Sequence, residues 1–491
     1  MKVILAGYNV DKKLLESCDE KAWPLLTPEV FSSAYAKISR SAKSVPELRK
    51  EALGNIEKAR KLNEKIIFDF GHSSVAEHAV FNIDILGITR LALEYLESVK
   101  YASFTEKSQR YVTFGKDFYI PPVLKEKGLE KQIEKAFTKA FDNYNSIIKD
   151  VFDSTSRNFP EKEHRSLMQR IKEDARYILP LCTKTQAGMT VNARALEYMI
   201  SFLCSQGIDE LKDLSDQLLK ITRDIAPSII RYINPDMAYC LHHPDSIPAM
   251  GQKPGEKSKT VYRQSFPVLE SLEVSPDLDI RILASRIFRT SRLTYRQACR
   301  LAGKLSREEK REIFDSIYRN LNFYHMMPKE YESCTAEFVC TVSASCFAQL
   351  KRHRESTIIP QDYSWENPVI IPAGILESKH SRMLFMDTVN TFRELYYKVE
   401  EACGGYKDYF MLNCNARRVL CRFDIKSLYN FFRLRSDNHS QWEIRYLSNE
   451  ILESLKAGKY MAMELACGKD RFHLTKKEIV KEKGVKNNAE D

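Results

Sequence analysis

Three stretches of this sequence combine residue types that could hold or activate an anionic ligand. Lys351-Arg352-His353-Arg354 follows an apolar run at 338–350. Two guanidiniums around an imidazole offer fixed donors for phosphate oxygens. Most short basic clusters are solvated surface, but a position directly after a buried segment favours a fixed orientation. In Ala102-Ser103-Phe104-Thr105-Glu106-Lys107-Ser108-Gln109-Arg110-Tyr111, the Glu106, Ser108 and Arg110 side chains would share a face if the chain is extended there. An acceptor, a small donor and a cation side by side suit a nucleotide; the same composition also suits a polar loop of capping residues. The third stretch runs from Arg433 to Arg445. On a helix starting at Gln441, Glu443 and Arg445 fall on different sides, and Trp442 and Ile444 are left for the core.

These residues must be placed by the surrounding elements. Segments 49–65 and 129–152 are rich in Glu, Lys, Leu and Ala and read as helices. Segments 197–203 and 427–435 continue into apolar helical patterns, and 79–85 and 338–342 read as half-buried strands. Helix and strand do not alternate as βαβ units, so the fold class expected is α+β. The polar, Pro/Gly/Lys-rich stretch 242–259 has no apolar period and reads as a linker. We expect a first domain at 1–241, a linker at 242–262 and a second domain at 263–491.

The two halves repeat each other. Ala36-Lys37-Ile38-Ser39-Arg40-Ser41 resembles Ser285-Arg286-Ile287-Phe288-Arg289-Thr290. The 69–78 segment parallels 322–331, with His72 and Glu77 spaced as His325 and Glu330 are. Asn192-Ala193-Arg194 to Tyr198 lines up with Asp424-Ile425-Lys426 to Asn430.

Composition excludes little but bounds the class. At 491 residues, two domains is the natural count. No run of about 18 apolar residues suggests a membrane span, and the N-terminus fits a signal peptide poorly, so a soluble, cytoplasmic protein is expected. The net charge of +10 comes from dispersed lysines and arginines; it suits phosphorylated small molecules as well as nucleic acid. The 12 cysteines include no Cys-x-x-Cys pair, and Cys334, Cys340 and Cys346 recur inside an apolar stretch. Buried reduced thiols are the expectation, and no metal site. His242-His243 is read as a structural loop pair.

The motifs, taken in order, resemble flavin-dependent thymidylate synthases. Residues 433–445 look like that family's Leu-Arg-x-Asp-x-His-Ala-Gln-Trp-Glu-Ile signature. Gly71-His72 with Glu77-His78 resembles its Gly-His-x-Thr-x-x-Glu-His element, and Arg352-His353-Arg354 its Arg-His-Arg. Residues 102–111 match the segment that follows, and Ala175-Arg176-Tyr177 and Thr190-Val191-Asn192-Ala193-Arg194 resemble a further block. The matches span most of both halves, so the chain resembles two diverged copies in tandem, a pseudo-dimer within one chain.

The departures are reciprocal. The first half has Ser98-Val99-Lys100 in place of Arg-His-Arg; the second has 360–364 (PQDYS) in place of Glu-x-Ser-x-Arg. Arg176 corresponds to Asp408, and Arg435 to Leu203. Each half keeps what the other lost, which general decay of a spare copy would not produce. The family is known as a homotetramer with sites between subunits, so the resemblance implies a composite site, and two chains forming a pseudo-tetramer.

By the same resemblance, FAD would be the cofactor, with NADPH and methylenetetrahydrofolate as co-substrates and dUMP as the nucleotide methylated. Glu106, Ser108, Gln109, Arg110, Arg176, Gln349, Arg352 and Arg435 would hold dUMP, Arg435 also polarising the pyrimidine. His72, Ser74, Glu77, Asn192, Arg194, Arg352, His353, Arg354, Asn430 and His439 would hold the flavin. Ser74 and Gln109 replace a usual Thr and Gly. One rival reading is transfer of another one-carbon group, such as hydroxymethyl; another is a non-catalytic nucleotide- or RNA-binding relic. No nucleic-acid or membrane partner is expected.

Overall fold

The computed structural model describes residues 1–17, 26–231, 233 and 263–484. The expected linker and His242-His243 lie outside the described residues. No helix among the described residues is long and apolar enough to cross a membrane. The chain forms two compact units, one of residues 1–256 with 380–412, the other of 257–379 with 413–491.

The first unit carries a four-stranded sheet of β1 (Lys2–Tyr8), β2 (Val80–Thr89), β3 (Ala102–Glu106) and β4 (Lys184–Asn192), in the order β1-β2-β4-β3. The second unit repeats it with β5 (Val268–Val274), β6 (Thr335–Ser343), β7 (Thr357–Pro360) and β8 (Ala416–Asp424), in the order β5-β6-β8-β7. Every pairing in both sheets is antiparallel. Even the irregularity recurs: β1 slips between Leu5 and Gly7, and β5 between Leu269 and Ser271. This is the expected α+β class, built twice.

Alternation writes the sheets. In β4, Thr185, Ala187, Met189 and Val191 turn inward while their neighbours face out. In β8, Val419, Cys421 and Phe423 do the same. Each sheet's inward face joins a helix-covered core: Phe81, Ile83, Ile85, Leu196 and Met199 in the first unit, and Phe338, Cys340, Leu428, Phe431 and Ile444 in the second. Cys334, Cys340 and Cys346 are all buried free thiols, as expected.

A long helix, Glu130–Thr155, lies in the first unit. Against it runs Lys379–Cys403, which falls in the second copy by sequence yet belongs almost wholly to the first unit. Asn143 Nδ2 donates to Thr388 Oγ1 at 2.9 Å, and Phe137 meets Phe392 edge-on.

Three local expectations change. The helix expected at 49–65 is broken by Asn55, which caps a new helix by accepting from the Lys58 N–H. Strand β3 ends at Glu106, Ser108 follows it in irregular chain and Arg110 lies in the turn beyond, so the three do not share a strand face. In the helix Trp442–Ala457, Glu443 is buried with Ile444, and Trp442 is only half-buried. The carboxylate goes inside because Ser343, capping the helix Ala344–Leu350, gives it both its N–H (2.9 Å) and its hydroxyl.

Candidate functional site

Strand pairing fixes which residues of the two copies are equivalent. Glu106 lies opposite Ala187 and Pro360 opposite Val419, at matching places in β4 and β8. Thr89 and Ser343 both end a strand and cap the next helix by accepting a hydrogen bond from its backbone. Counting between these anchors, Val99 matches His353 and Tyr95 matches Gln349. Asn192 and Asp424 likewise both cap helices, Ala193–Cys204 and Ile425–Arg435, so Leu203 matches Arg435.

In the second unit, the helix Ile425–Arg435 delivers Arg435 to the end of Ala344–Leu350 and the turn after it. Arg435 Nε donates to His353 Nε2 at 2.9 Å, Nη2 to the Gln349 carbonyl at 3.1 Å, and Nη1 to Gln349 Oε1 at 3.4 Å. The His353 ring packs on Phe431, centroids 4.9 Å apart, and on Phe423. Burial, helped by the nearby Arg435 charge, pushes its pKa down to about 3. His353 is therefore neutral, and its Nε2 is the acceptor. Arg352 on one side is exposed and Arg354 on the other half-buried.

His439 follows in the same segment. Asp437, 1% exposed, accepts from the His439 N–H at 2.8 Å and lies 3.0 Å from its Nδ1, while the imidazole itself is 85% accessible. Asn430 is half-buried on the Arg435 helix.

In the first unit, Arg110 and Arg176 come together at Glu173, and Gln109, next to Arg110 in the chain, is buried. Arg110 forms an ion pair with the Glu173 carboxylate, and Arg176 Nε donates to its carbonyl at 3.3 Å. Arg176 is 3% exposed; burial pulls its pKa down, with Glu173 opposing. Glu106 pairs with Arg90, which is buried. Burial works against the Arg90 charge, but Glu106, Glu97 and Glu94 outweigh it and raise its pKa. Ser108 accepts from the Arg110 N–H at 3.2 Å.

The remaining first-copy candidates stand apart from that cluster. Glu77 and Arg194 form an ion pair at 2.5 Å along a groove of about 690 Å³ that Lys100, Tyr101, Asn192 and Tyr198 also line. Tyr101 is 82% exposed and has φ of 63°, a left-handed backbone that costs a non-glycine residue about 1–3 kcal/mol. Asn192 has its Oδ1 committed to the Ala195 N–H, the capping role that Asp424 has in the other copy. Ser74 is exposed on the short helical segment Ser73–His78 before β2, and His72, also exposed, is the residue just before it, beside Gly71, whose φ of +73° suits glycine.

Arg90, Glu173 and Asp437 were not among the sequence candidates. Arg90 had a signal: it and Glu106 correspond to Ala344 and Pro360, so the second copy has lost both members of the pair together.

The chain matches the family model for the thymidylate synthase complementing protein at residues 26–228 and again at 281–458. A flavin-dependent thymidylate synthase of Sulfurisphaera tokodaii is 31% identical over 36% of this chain and 62% of its own length. One from Geobacter sulfurreducens is 29% identical over 42% of this chain and 83% of its own length. A protein of Thermoplasma acidophilum described as UPF0159 is 21% identical over 85% of this chain and 91% of its own length. Among solved structures, a UMP/dUMP methylase from Streptomyces cacaoi covers 49% of this chain and 95% of its own, at 16% identity and a TM-score of 0.34. The two matched segments are the two copies that the sheets display. The chain belongs to the thymidylate synthase complementing protein family, which it carries twice over.

Proposed function

We propose that the chain is an FAD-dependent enzyme that methylates dUMP to dTMP, with NADPH as reductant and methylenetetrahydrofolate as one-carbon donor. The observation that carries this reading is reciprocal retention. The first copy keeps the Arg90–Glu106 and Arg110–Glu173 pairs, where the second has Ala344, Pro360 and Ser364 at the Arg90, Glu106 and Arg110 positions. The second keeps Gln349, His353 and Arg435, where the first has Tyr95, Val99 and Leu203. A relic would lose such groups piecemeal; here hydrogen-bonded partners are kept or lost together. A complete ligand set therefore draws on both copies, and two chains would pair as a pseudo-tetramer.

In this reading Glu106, Ser108, Gln109, Arg110, Arg176, Gln349, Arg352 and Arg435 take the nucleotide. Arginines suit its phosphate because the planar fork gives paired charge-assisted hydrogen bonds. Arg435 stabilises the negative charge that develops on a pyrimidine ring as it is reduced. The residues of the flavin set fit a dinucleotide. Lys100 and Arg194 supply cations for a pyrophosphate, and the exposed rings of Tyr101 and Tyr198 offer faces for a flat heterocycle. His72, Ser74, Glu77, Asn192, Arg352, His353, Arg354, Asn430 and His439 complete that set. A bound flavin would supply the hydride.

The test is to purify the full chain, record its absorbance, and follow NADPH oxidation with methylenetetrahydrofolate, with and without dUMP, while weighing the nucleotide product by mass spectrometry. A yellow protein that makes dTMP is expected. A hydroxymethylated product points to the sister reaction. A chain that takes up neither FAD nor dUMP sinks the enzyme reading.

A further inference from the structure

We propose that His353 is a positioning residue: a neutral acceptor at Nε2 that, with Gln349, fixes the direction of the Arg435 guanidinium. This deepens the reading above, and rests on it for the claim that Arg435 faces the nucleotide. It moves His353 from the flavin set to the nucleotide set.

Geometry makes the case first. A guanidinium on a long, flexible stem loses rotamer freedom when it is held, so precise aim needs fixed acceptors on more than one nitrogen. Arg435 has one on each: His353 at Nε, the Gln349 side chain at Nη1 and the Gln349 carbonyl at Nη2. Both acceptors are themselves held. Gln349 and His353 are each 8% exposed, and Phe431 and Phe423 flank the imidazole. An imidazolium in this place would turn an N–H toward a guanidinium N–H, two donors and two positive charges face to face. The ring is instead kept neutral by its surroundings, so it stays an acceptor across the physiological range.

The first copy supplies the control that evolution ran. At the places of Gln349, His353 and Arg435 it has Tyr95, Val99 and Leu203; Val99 and Leu203 belong to its apolar core, and Tyr95, half-buried, packs against that core. Val99 is 3% exposed and Leu203 is fully buried. If the imidazole served a ligand independently of the arginine, one could have been lost without the other. Losing Arg435 removes the only purpose of a buried acceptor aimed at it, and an apolar side chain then packs better. The trio behaves as a unit.

The experiment has two arms on the full chain. The first is 15N-resolved histidine NMR of the ligand-free protein, with the His353 signal identified by its loss in His353→Gln. The ring should stay neutral from about pH 5 to pH 8, with Nδ1 protonated and Nε2 bare. Protonation within that window, or a protonated Nε2, overturns the clamp whatever the ligand proves to be. The second arm measures dUMP and FAD affinity for His353→Ala, His353→Gln and Arg435→Ala. His353→Ala should weaken dUMP binding about tenfold and leave FAD within about threefold. His353→Gln, whose Oε1 reaches as far as Nε2, should recover most of that loss. In the Arg435→Ala background, His353→Ala should change dUMP affinity by less than about twofold. Additive losses, or a loss of FAD with dUMP affinity kept, overturn the assignment. If Arg435→Ala alone leaves dUMP binding intact, the nucleotide role of Arg435 fails, while the NMR arm still decides the clamp.

Discussion

Glu210 and Glu443 are equivalent carboxylates, each buried in its own unit and each holding the residue that caps the helix after the second strand. Glu210 receives the Thr89 N–H and hydroxyl, both at 2.8 Å, and Glu443 receives the same two groups of Ser343. Glu210 also accepts from the Tyr409 hydroxyl at 2.7 Å, which ties residues 380–412 to the first unit. Truncating either carboxylate strands a buried N–H. Glu443→Ala and Glu210→Ala should each cost about 3 kcal/mol, and Tyr409→Phe about 1 kcal/mol. Urea titrations followed by circular dichroism give these values; a loss under about 1 kcal/mol for Glu443→Ala means the carboxylate is not the anchor described.

The depressed pKa of His353 makes a pH prediction with a definite sign. The unfolded chain takes up a proton near pH 6.5, and the folded protein only near pH 3. Below pH 6.5 the unfolded state therefore binds more protons, and stability falls as pH drops toward 3, by at most about 1.4 kcal/mol per pH unit. His353→Gln removes that contribution. The stability difference between wild type and variant should shrink or change sign between pH 7 and pH 4.5, and a difference independent of pH there contradicts a neutral buried imidazole.

The Arg90–Glu106 pair tests whether co-loss marks physical coupling. Removing one partner of a buried pair leaves an uncompensated charge, at about 3–5 kcal/mol, whereas replacing both with apolar residues costs far less. Arg90→Met and Glu106→Leu should each destabilise strongly, and the double variant should be more stable than either single one. Ala344 and Pro360 are the second copy's version of that double change. Thermal melts of the three variants decide it, and strict additivity counts against coupling.

For the nucleotide, Arg110→Ala and Arg435→Ala should each weaken dUMP binding by about ten- to a hundredfold, since a charge-assisted hydrogen bond contributes about 1.5–3 kcal/mol. If they share one ligand, the two losses will not add. Leu203→Met, a volume-conserving change at the corresponding place in the first copy, should leave dUMP binding as it was. Calorimetric titration that shows unchanged affinity in Arg435→Ala, or a large drop in Leu203→Met, reverses the assignment of the live residues.

Along the groove of the first unit, Arg194→Ala should lower FAD retention on gel filtration by about tenfold, without moving the melting temperature by more than a degree or two. The Glu77–Arg194 pair is half-exposed, with side chains 44% and 52% accessible, so it contributes little to folding. Equal FAD content in variant and wild type removes Arg194 from the flavin set.

Periodicity carried much of this architecture into the sequence. Strand β2 alternates as far as Leu86, β6 alternates over its first six residues before Cys340–Ser343 are all buried, and the helix Glu130–Thr155 keeps one apolar face. The break at Asn55 is masked by the Glu, Lys and Leu that continue on both sides of it; its marks in the sequence are Gly54, which ends the first helix, and the Asn55 cap itself. Trp442 and Glu443 exchanged their expected places because a carboxylate's burial depends on donors from Ser343, a hundred residues upstream, which no local pattern displays. The motifs singled out both Arg435 and His353, but their contact joins residues separated by 82 positions and is visible only in three dimensions. Arg90 and Glu173 carry no motif at all. Their partners sit 16 and 63 residues away, and the pairing of Arg90 shows only when the two copies are compared position by position.

The helix Lys379–Cys403 also sets an order of events during synthesis. Its partner, Glu130–Thr155, leaves the ribosome long before it, and residues 257–379 must be made in between. At about 5–20 residues per second, the 223 residues between the two helices take about 10–45 s to make. Through that interval Phe137 and Asn143 have no Phe392 or Thr388 to meet, and the nascent first unit presents an apolar helix face to solvent or to a chaperone. Its folding is thus completed from downstream, and a ribosome stalled anywhere before residue 412 holds a first unit that is still open.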